Sequence, residues 1–401
     1  MQKNCINLTN GLRVHTDGSY TPCCLSILTR LKDDNGRIMK VDTDSIEDAL
    51  NSPTLVKLRE ETSKGLQPEA CSICWAVEDA GFDSKRILDN RKIKNPTDNS
   101  LLMLELNLGN ICNLACRSCN IDASANWKKE HNLVADPKER LTSEQLESLA
   151  SKYSTPFSDT SPIWDQLKTH IKTVKCLDLY GGEPMLMKKQ WEILKYSVEK
   201  GYSKNQYVHF NTNGTIFKQE HVDLLKNFQT VDISFSIDGK DDKFNYIRHL
   251  GNWSKVEKNI DGWLDSTKIY SNFKYNLCYT VSILNVLDFY EVANWSNQRN
   301  IRIHVNMIHH PPYYSITNIP DEIKPMITDY IVKSISLLNG ESYSQGMNIV
   351  NFMNNTKCKR EYWVKFLKIN NILDESRNQS FENTFPELNK FINEYNRLKR
   401  I

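Results

Sequence analysis

The sequence has no run of about 18 consecutive apolar residues, no imbalance of charge and no basic, apolar start, and each absence removes a class of function. Without the apolar run there is no candidate membrane-spanning helix. Lys and Arg number 51 against 49 Asp and Glu, so a net charge of +2 offers no general attraction to nucleic acid or to an anionic membrane. The opening residues MQKNCINLTN lack the charged start and apolar core of a secretory signal. The expectation is a soluble, cytoplasmic protein with no membrane partner and no clear nucleic-acid signal. Internal repeats and low-complexity linkers are absent as well.

What is present in excess is cysteine. In a reducing compartment 11 cysteines do not form a disulfide framework, and these are unevenly spaced. Cys5, Cys23, Cys24, Cys71 and Cys74 fall in the first 75 residues, Cys112, Cys116 and Cys119 form a trio, and Cys176, Cys278 and Cys358 are scattered. Clusters of that kind point to metal.

A chain of 401 residues exceeds what one hydrophobic core usually supports, so a large domain with one or two smaller pieces is expected. From residue 100 the chain alternates strand-like runs (101–108, 173–180, 207–212, 231–237, 274–283 and 301–308) with amphipathic stretches such as KKQWEILKYSVEK and KQEHVDLLKNF. The first crossover is longer, because LTSEQLESLASKY and SPIWDQLKTHIKT each carry a Ser or Thr helix-start signal. Six βα units make an α/β fold, either an open barrel or a doubly wound sheet, and the pattern then becomes wholly helical. The domain expectation is 1–95, 96–312 and a helical extension over 313–401.

Parallel sheets put their chemistry at the carboxyl ends of strands, where the trio stands in ICNLACRSCN. A structural zinc needs a fourth ligand, for which His131 is the nearest downstream histidine. A 4Fe-4S cluster held by three thiolates instead leaves one iron open, which gives the count of three a meaning.

Here the residues match a family. The C-x-x-x-C-x-x-C spacing after the first strand of a (βα)6 array resembles the radical S-adenosylmethionine (SAM) enzymes, in which the open iron binds SAM. After the next strand, GGEP resembles the segment that approaches the SAM amino group, which implies contacts from Gly181, Gly182, Glu183 and Pro184. The resemblance extends to Thr212 and Asn213 in NTNG, to Ser234, Ser236 and Asp238 in SFSIDG, and to Arg248, which matches an arginine that meets the SAM carboxylate; Asn285 is a weaker match. One departure is Ser118, where the family usually has an aromatic residue near the adenine.

The first 90 residues resemble the auxiliary-cluster module SPASM in its shortened, twitch form. Cys5, Cys23, Cys71 and Cys74 would hold a second 4Fe-4S cluster, although the module here precedes the core instead of following it. A zinc knuckle on the same four thiols is the alternative. Cys24 reads as a spare thiol, Cys176 and Cys278 as small core residues and Cys358 as a surface cysteine. His309, His310, Tyr313 and Tyr314, in MIHHPPYYS, read as a rigid solvated turn or as groups facing substrate. Asp374 and Arg377 read as an i, i+3 helix pair, and Trp164, Trp191 and Trp263 as core.

The resemblance implies reductive cleavage of SAM to a 5'-deoxyadenosyl radical and oxidation of a substrate. Peptide or protein side chains are the common substrates of enzymes with auxiliary clusters, and a flavodoxin or ferredoxin is the implied reductant. A small-molecule dehydrogenase or rearrangement enzyme is the alternative within enzymes, and a zinc-stapled binding module the alternative outside them. Catalytic acid and base residues are not named by the sequence.

Overall fold

The computed structural model describes residues 4–26, 28–79, 81, 83–93, 100–154, 157, 158 and 160–399. The expected domain boundary between residues 95 and 96 lies outside them.

All six strands expected from the sequence form, as β3 (Met103–Asn107), β4 (Cys176–Tyr180), β5 (Tyr207–Thr212), β6 (Thr230–Ser236), β7 (Phe273–Val281) and β8 (Arg302–Met307). They pair in parallel in chain order, each joined to the next by helical crossovers, which is a partial (βα)6 barrel. Two further strands come from the N-terminal segment. β1 (Gly11–Val14) pairs in parallel with β3, and β2 (Tyr20–Thr21) runs antiparallel to β1, so the sheet has eight strands in the order β2-β1-β3-β4-β5-β6-β7-β8. The N-terminal residues Leu8, Leu12, Val14 and Leu55 share one continuous hydrophobic core with the central strands.

Alternation along the strands sorts the two faces. Leu104, Leu106, Leu177, Leu179, Val208, Phe210, Val231, Ile233 and Phe235 point to the helices and are at most 3 % exposed. Fully burying one such side chain is worth about 1.5–3 kcal/mol, so register is set by this face. The residues between them, Glu105, Asn107, Asp178, His209, Asn211, Asp232, Ser234 and Ser236, are polar and form the inner face.

The long first crossover contains helices Ser143–Ser154 and Ile163–His170. Thr142 and Gln145 cap the first reciprocally, the Gln145 amide donating to Thr142 Oγ1 at 3.1 Å and the Thr142 amide to Gln145 Oε1 at 2.8 Å. The second begins behind Pro162 with no side-chain cap, because proline at the entry already presets the backbone angle. Beyond residue 320 the chain is helical, in Lys324–Ile335, Gly340–Asn354, Arg360–Arg377, Phe381–Thr384 and Pro386–Leu398. Among the described residues no helix is long and apolar enough to cross a membrane.

Candidate functional site

β3 ends in a loop that carries the three cysteines, and two glycines let the following strand's loop lie directly against it. Gly109 (φ +126°) and Gly181 (φ +132°) adopt backbone angles that side chains disfavour. The Gly182 amide donates to Gly109 O at 2.9 Å and the Glu183 amide to Ile111 O at 2.8 Å. A Cβ on Gly182 would stand 2.3 Å from Ile111 O, so no larger residue fits. The GGEP segment is thereby stitched to the cysteine loop.

Glu183 joins a third loop to these two. Its Oε1 accepts from Thr212 Oγ1 at 2.7 Å and from the Met185 amide at 3.1 Å, and its Oε2 accepts from the Asn213 amide at 2.8 Å. Burial raises its pKa above the usual carboxylate range against these three bonds, which favour the charged form. Asn213 Nδ2 donates to Asn113 Oδ1 at 2.9 Å and lies 3.9 Å from Cys112 Sγ. Pro184 is buried and opens a short 3-10 turn at 184–186.

Among the thiols, burial pushes Cys112 up to about 12. Cys116 and Cys119 share a hydrogen bond that lowers Cys116 and raises Cys119. Arg248 Nη1 lies 3.9 Å from Cys116 Sγ, while its Nη2 pairs with Asp238 Oδ2 at 2.7 Å. Asp238 Oδ1 also accepts from the Thr280 amide at 2.9 Å. Arg248 Nε is buried without a hydrogen-bond partner among the described residues. Three thiols on one loop, Cys112 and Cys119 raised and Cys116 lowered, stand beside the Arg248 cation, and because thiols give up their protons when metal binds, the set fits the three-thiolate anchor of an iron-sulfur cluster. Among the described residues no three His, Cys, Asp or Glu side chains are drawn around one point tightly enough to hold a single ion. A cluster, which takes one thiolate on each of several irons, does not require that.

The N-terminal quartet also gathers. Cys5 neighbours Cys23 and Cys71, and Cys71 neighbours Cys23 and Cys74. Burial raises Cys5 and Cys71 to about 12. Ser26 Oγ, 3.6 Å from Cys23 Sγ, donates to Ala70 O at 2.7 Å and ties the two halves of the quartet together. Arg86 stands near Cys5 and Cys74, held by Glu78 at 2.9 Å and over the Trp75 ring at 4.6 Å. Cys24 lies near Glu105, Lys85 and Cys23, and burial first, then Glu105, raises its thiol well above the usual range.

The register aligns Arg13, Glu105, Asp178, His209 and Asp232 in one row across β1, β3, β4, β5 and β6. Lys85, from helix Lys85–Lys92, reaches Asp89 at 2.8 Å, Glu105 at 3.1 Å and Asp178 at 3.6 Å. Burial raises Glu105. Burial also opposes ionisation of Asp178, but His209 and the two nearby lysines outweigh it and hold Asp178 below the usual range. His209 Nδ1 is 3.5 Å from Asp178 Oδ1 and its Nε2 is 3.2 Å from Ser234 Oγ.

Of the residues expected from the sequence, Gly181, Gly182, Glu183, Pro184, Thr212, Asn213, Asp238 and Arg248 surround the cysteine loop, Ser234 lies below on the inner face, and Ser236 is half-buried at the end of β6. Asn285 is fully buried and ties Asp238 O to Thr280 O, at 2.9 and 3.0 Å. Ser118 is half-buried. His309 and His310 are exposed, with the His309 ring 5.4 Å from Phe352, and Tyr314 is buried against Asn370. Trp164 and Trp263 are core, whereas Trp191 is half-buried and stacked on His221 at 3.8 Å. Asp374 and Arg377 do not pair with each other; each binds a residue of the cysteine region instead. Sequence reasoning missed the inner row, whose signal is a single charged residue inside each apolar strand, as in TVKCLDLY. It also missed Arg117, which lies inside the cysteine motif itself.

A family model described as the Radical SAM superfamily matches residues 106–279, and one described as an iron-sulfur cluster-binding domain, SPASM, matches residues 5–75. A search of curated proteins finds no significant match. Among solved structures, native anSMEcpe with bound AdoMet and Cp18Cys peptide is similar at 18 % identity and a TM-score of 0.35, over 63 % of this chain and 60 % of that one. SuiB from Streptococcus suis bound to the precursor peptide SuiA is similar at 14 % identity and 0.36, over 75 % and 55 %. SuiB bound to S-adenosylmethionine is similar at 15 % and 0.37, over 82 % and 70 %. The chain thus spans about 60 % of the length of the first of these structures.

Proposed function

The chain belongs to the radical SAM superfamily and has a SPASM-type iron-sulfur domain ahead of its radical SAM domain, and from this premise we propose that it cleaves S-adenosylmethionine reductively and oxidises a peptide or protein side chain. When bound, a 4Fe-4S cluster on Cys112, Cys116 and Cys119 together with SAM supplies a radical able to take hydrogen from an unactivated C–H bond, and a second cluster on Cys5, Cys23, Cys71 and Cys74, with no open iron, supplies electron transfer.

The chain's own residues have the remaining tasks. Arg248, steadied by Asp238, presents a buried cation to the SAM carboxylate. Gly181 and Gly182 keep the backbone low beside the cysteine loop, and Thr212 and Asn213 are oriented by Glu183. Ser234 and Ser236 line the inner face next to them. His209, steadied by Asp178, is able to take a proton at Nε2 by way of Ser234 Oγ, 3.2 Å away, which a substrate oxidation must release.

The observation that supports an oxidation is the position of the quartet. Cys23 is near enough to Glu105 on the inner face to be raised by its charge, although burial raises it more. A group held there would lie beside the strand that leads into the cysteine trio, within reach of the inner face. The cytoplasm, where thiols stay reduced and a flavodoxin or ferredoxin is at hand, suits such a protein.

Anaerobic reconstitution with iron and sulfide tests the reading. Two clusters per chain and 5'-deoxyadenosine formed from SAM with a strong reductant are expected; two equivalents of zinc without iron would instead support the binding module. Co-expression with short peptides encoded beside the gene tests the substrate class, a mass loss of two hydrogens being expected. Activity on small alcohols with no change in any peptide would favour the dehydrogenase reading.

A further inference from the structure

Arg117 stands between the second and third cysteines of the trio, and most of what holds it comes from the far end of the chain. Its side chain is fully buried. Nε donates to Tyr246 O at 3.2 Å, Nη1 to Asn370 Oδ1 at 2.9 Å, and Nη2 to Asp374 Oδ1 at 2.5 Å and Gln379 Oε1 at 3.0 Å. The guanidinium lies over the Tyr246 ring at 3.6 Å. Asn370 and Asp374 belong to helix Arg360–Arg377, and Gln379 to the turn after it.

The same helix makes a second attachment. Arg377 binds Glu130 through Nε at 2.9 Å and Nη2 at 2.6 Å and lies over the Trp127 ring at 5.2 Å. Trp127 Nε1 in turn donates to Cys116 O at 2.9 Å. Between the two attachments, Ile369 and Leu373 pack with Ala115, Ile121, Trp127 and Leu146 in an apolar cluster separate from the main core. Two guanidinium–carboxylate pairs and an apolar plug therefore join one helix to the cysteine loop and to the helical turns that follow it.

We propose that helix Arg360–Arg377 is a clamp that positions the cysteine loop and, through the Arg117–Asp374 and Arg377–Glu130 pairs, sets the electrostatic surroundings of the cluster the loop holds. Reduction adds a negative charge to an iron-sulfur cluster, so a nearby cation favours the reduced form and a nearby anion disfavours it. The two halves of each pair then act with opposite signs. A purely structural attachment has no such signature, because breaking it from either side loosens the loop in the same way.

The experiment is an EPR-monitored redox titration of the full-length reconstituted protein, following the signal that responds to added SAM. Asp374→Asn should move the midpoint potential upward and Arg117→Gln downward. Arg117→Lys, which keeps the charge but not the fork, should return the potential toward wild type while retaining less iron. Hydrogen exchange on the metal-free protein should show faster exchange over 114–127 in Asp374→Asn. If Arg117→Gln does not fold, the outer pair decides: Glu130→Gln should raise the potential and Arg377→Gln lower it. Shifts of the same sign within a pair, or no shift with unaltered exchange, would overturn the clamp.

Discussion

Replacing Glu183 separates a residue that shapes the site from one that touches the cofactor. Its carboxylate is 1 % exposed and accepts from Thr212 Oγ1, Asn213 N and Met185 N at 2.7, 2.8 and 3.1 Å. Glu183→Ala orphans three buried donors, at about 1–3 kcal/mol each. Because the donors neighbour one another and water can enter the gap, the losses do not add, and about 3–4 kcal/mol is expected. Glu183→Gln keeps the oxygen that serves Thr212 and Met185 and sets an N–H against the Asn213 amide, one lost bond, about 1–2 kcal/mol. Urea unfolding of the metal-free protein should show the midpoint falling in the order wild type, Gln, Ala with the slope unchanged. SAM affinity of the reconstituted protein, measured calorimetrically, should fall in the same order. An alanine variant of undiminished stability would refute the bonding argument. One that is stable but no longer binds SAM would show that the carboxylate acts on the cofactor itself.

Changing Cys112, Cys116 and Cys119 together to Ala should remove one cluster and all formation of 5'-deoxyadenosine while the iron held by the N-terminal quartet remains; residual product would disprove the site. Replacing Cys71 and Cys74 by Ala should leave SAM cleavage without substrate intact and abolish substrate turnover, and unimpaired turnover would reduce the quartet to a staple. Arg248→Ala should weaken SAM binding by about 1.5–3 kcal/mol, the worth of a hydrogen bond to a charged group, so unchanged affinity would count against its assignment. Burial, helped by Lys218, holds His221 down to about 4. The fold therefore favours the neutral ring: its contribution is complete above the unfolded value near 6.5 and is lost as pH falls from there to about 4, roughly 2 kcal/mol after allowance for partial screening. His221→Phe, which preserves the stack on Trp191, should flatten the acid limb of a stability–pH curve. His249, held down to about 4 mainly by burial with Arg377 adding, acts in the same window, so a residual slope is expected.

The six central strands were legible because each needs an apolar row against the helices, and that need writes a period of two into the sequence. The motif residues were legible because they are short, contiguous and anchored to strand ends. β1 and β2 were not. Gly11–Val14 is four residues long and Tyr20–Thr21 two, too short for a period to register, and β1 becomes a strand only because β3 offers it an unpaired edge. The ties of Arg117 and Arg377 escaped for a different reason. Asp374 and Arg377 are spaced as an intrahelical pair, and nothing local says that each points to a partner far away in the chain, 257 and 247 positions distant. The inner row was hidden by its neighbours, since one Asp within CLDLY scarcely alters the apolar character of the run.

The pairing of β1 with β3 also bears on how such a protein can be taken apart. A strand at the rim of a sheet exposes a row of amide and carbonyl groups to any other chain that will pair with it. Here β1 covers that row on β3, the strand that leads into the cysteine trio, and β2 covers β1 in turn. Cutting the chain after the quartet would uncover the rim at its most sensitive strand, and a fragment beginning near residue 100 should aggregate by edge-to-edge pairing before it can be loaded with metal. Grafting a different auxiliary module onto this core should succeed only if Gly11–Val14, or a strand of equal register, travels with the core. The two regions are therefore expected to be inherited, and engineered, as a single unit.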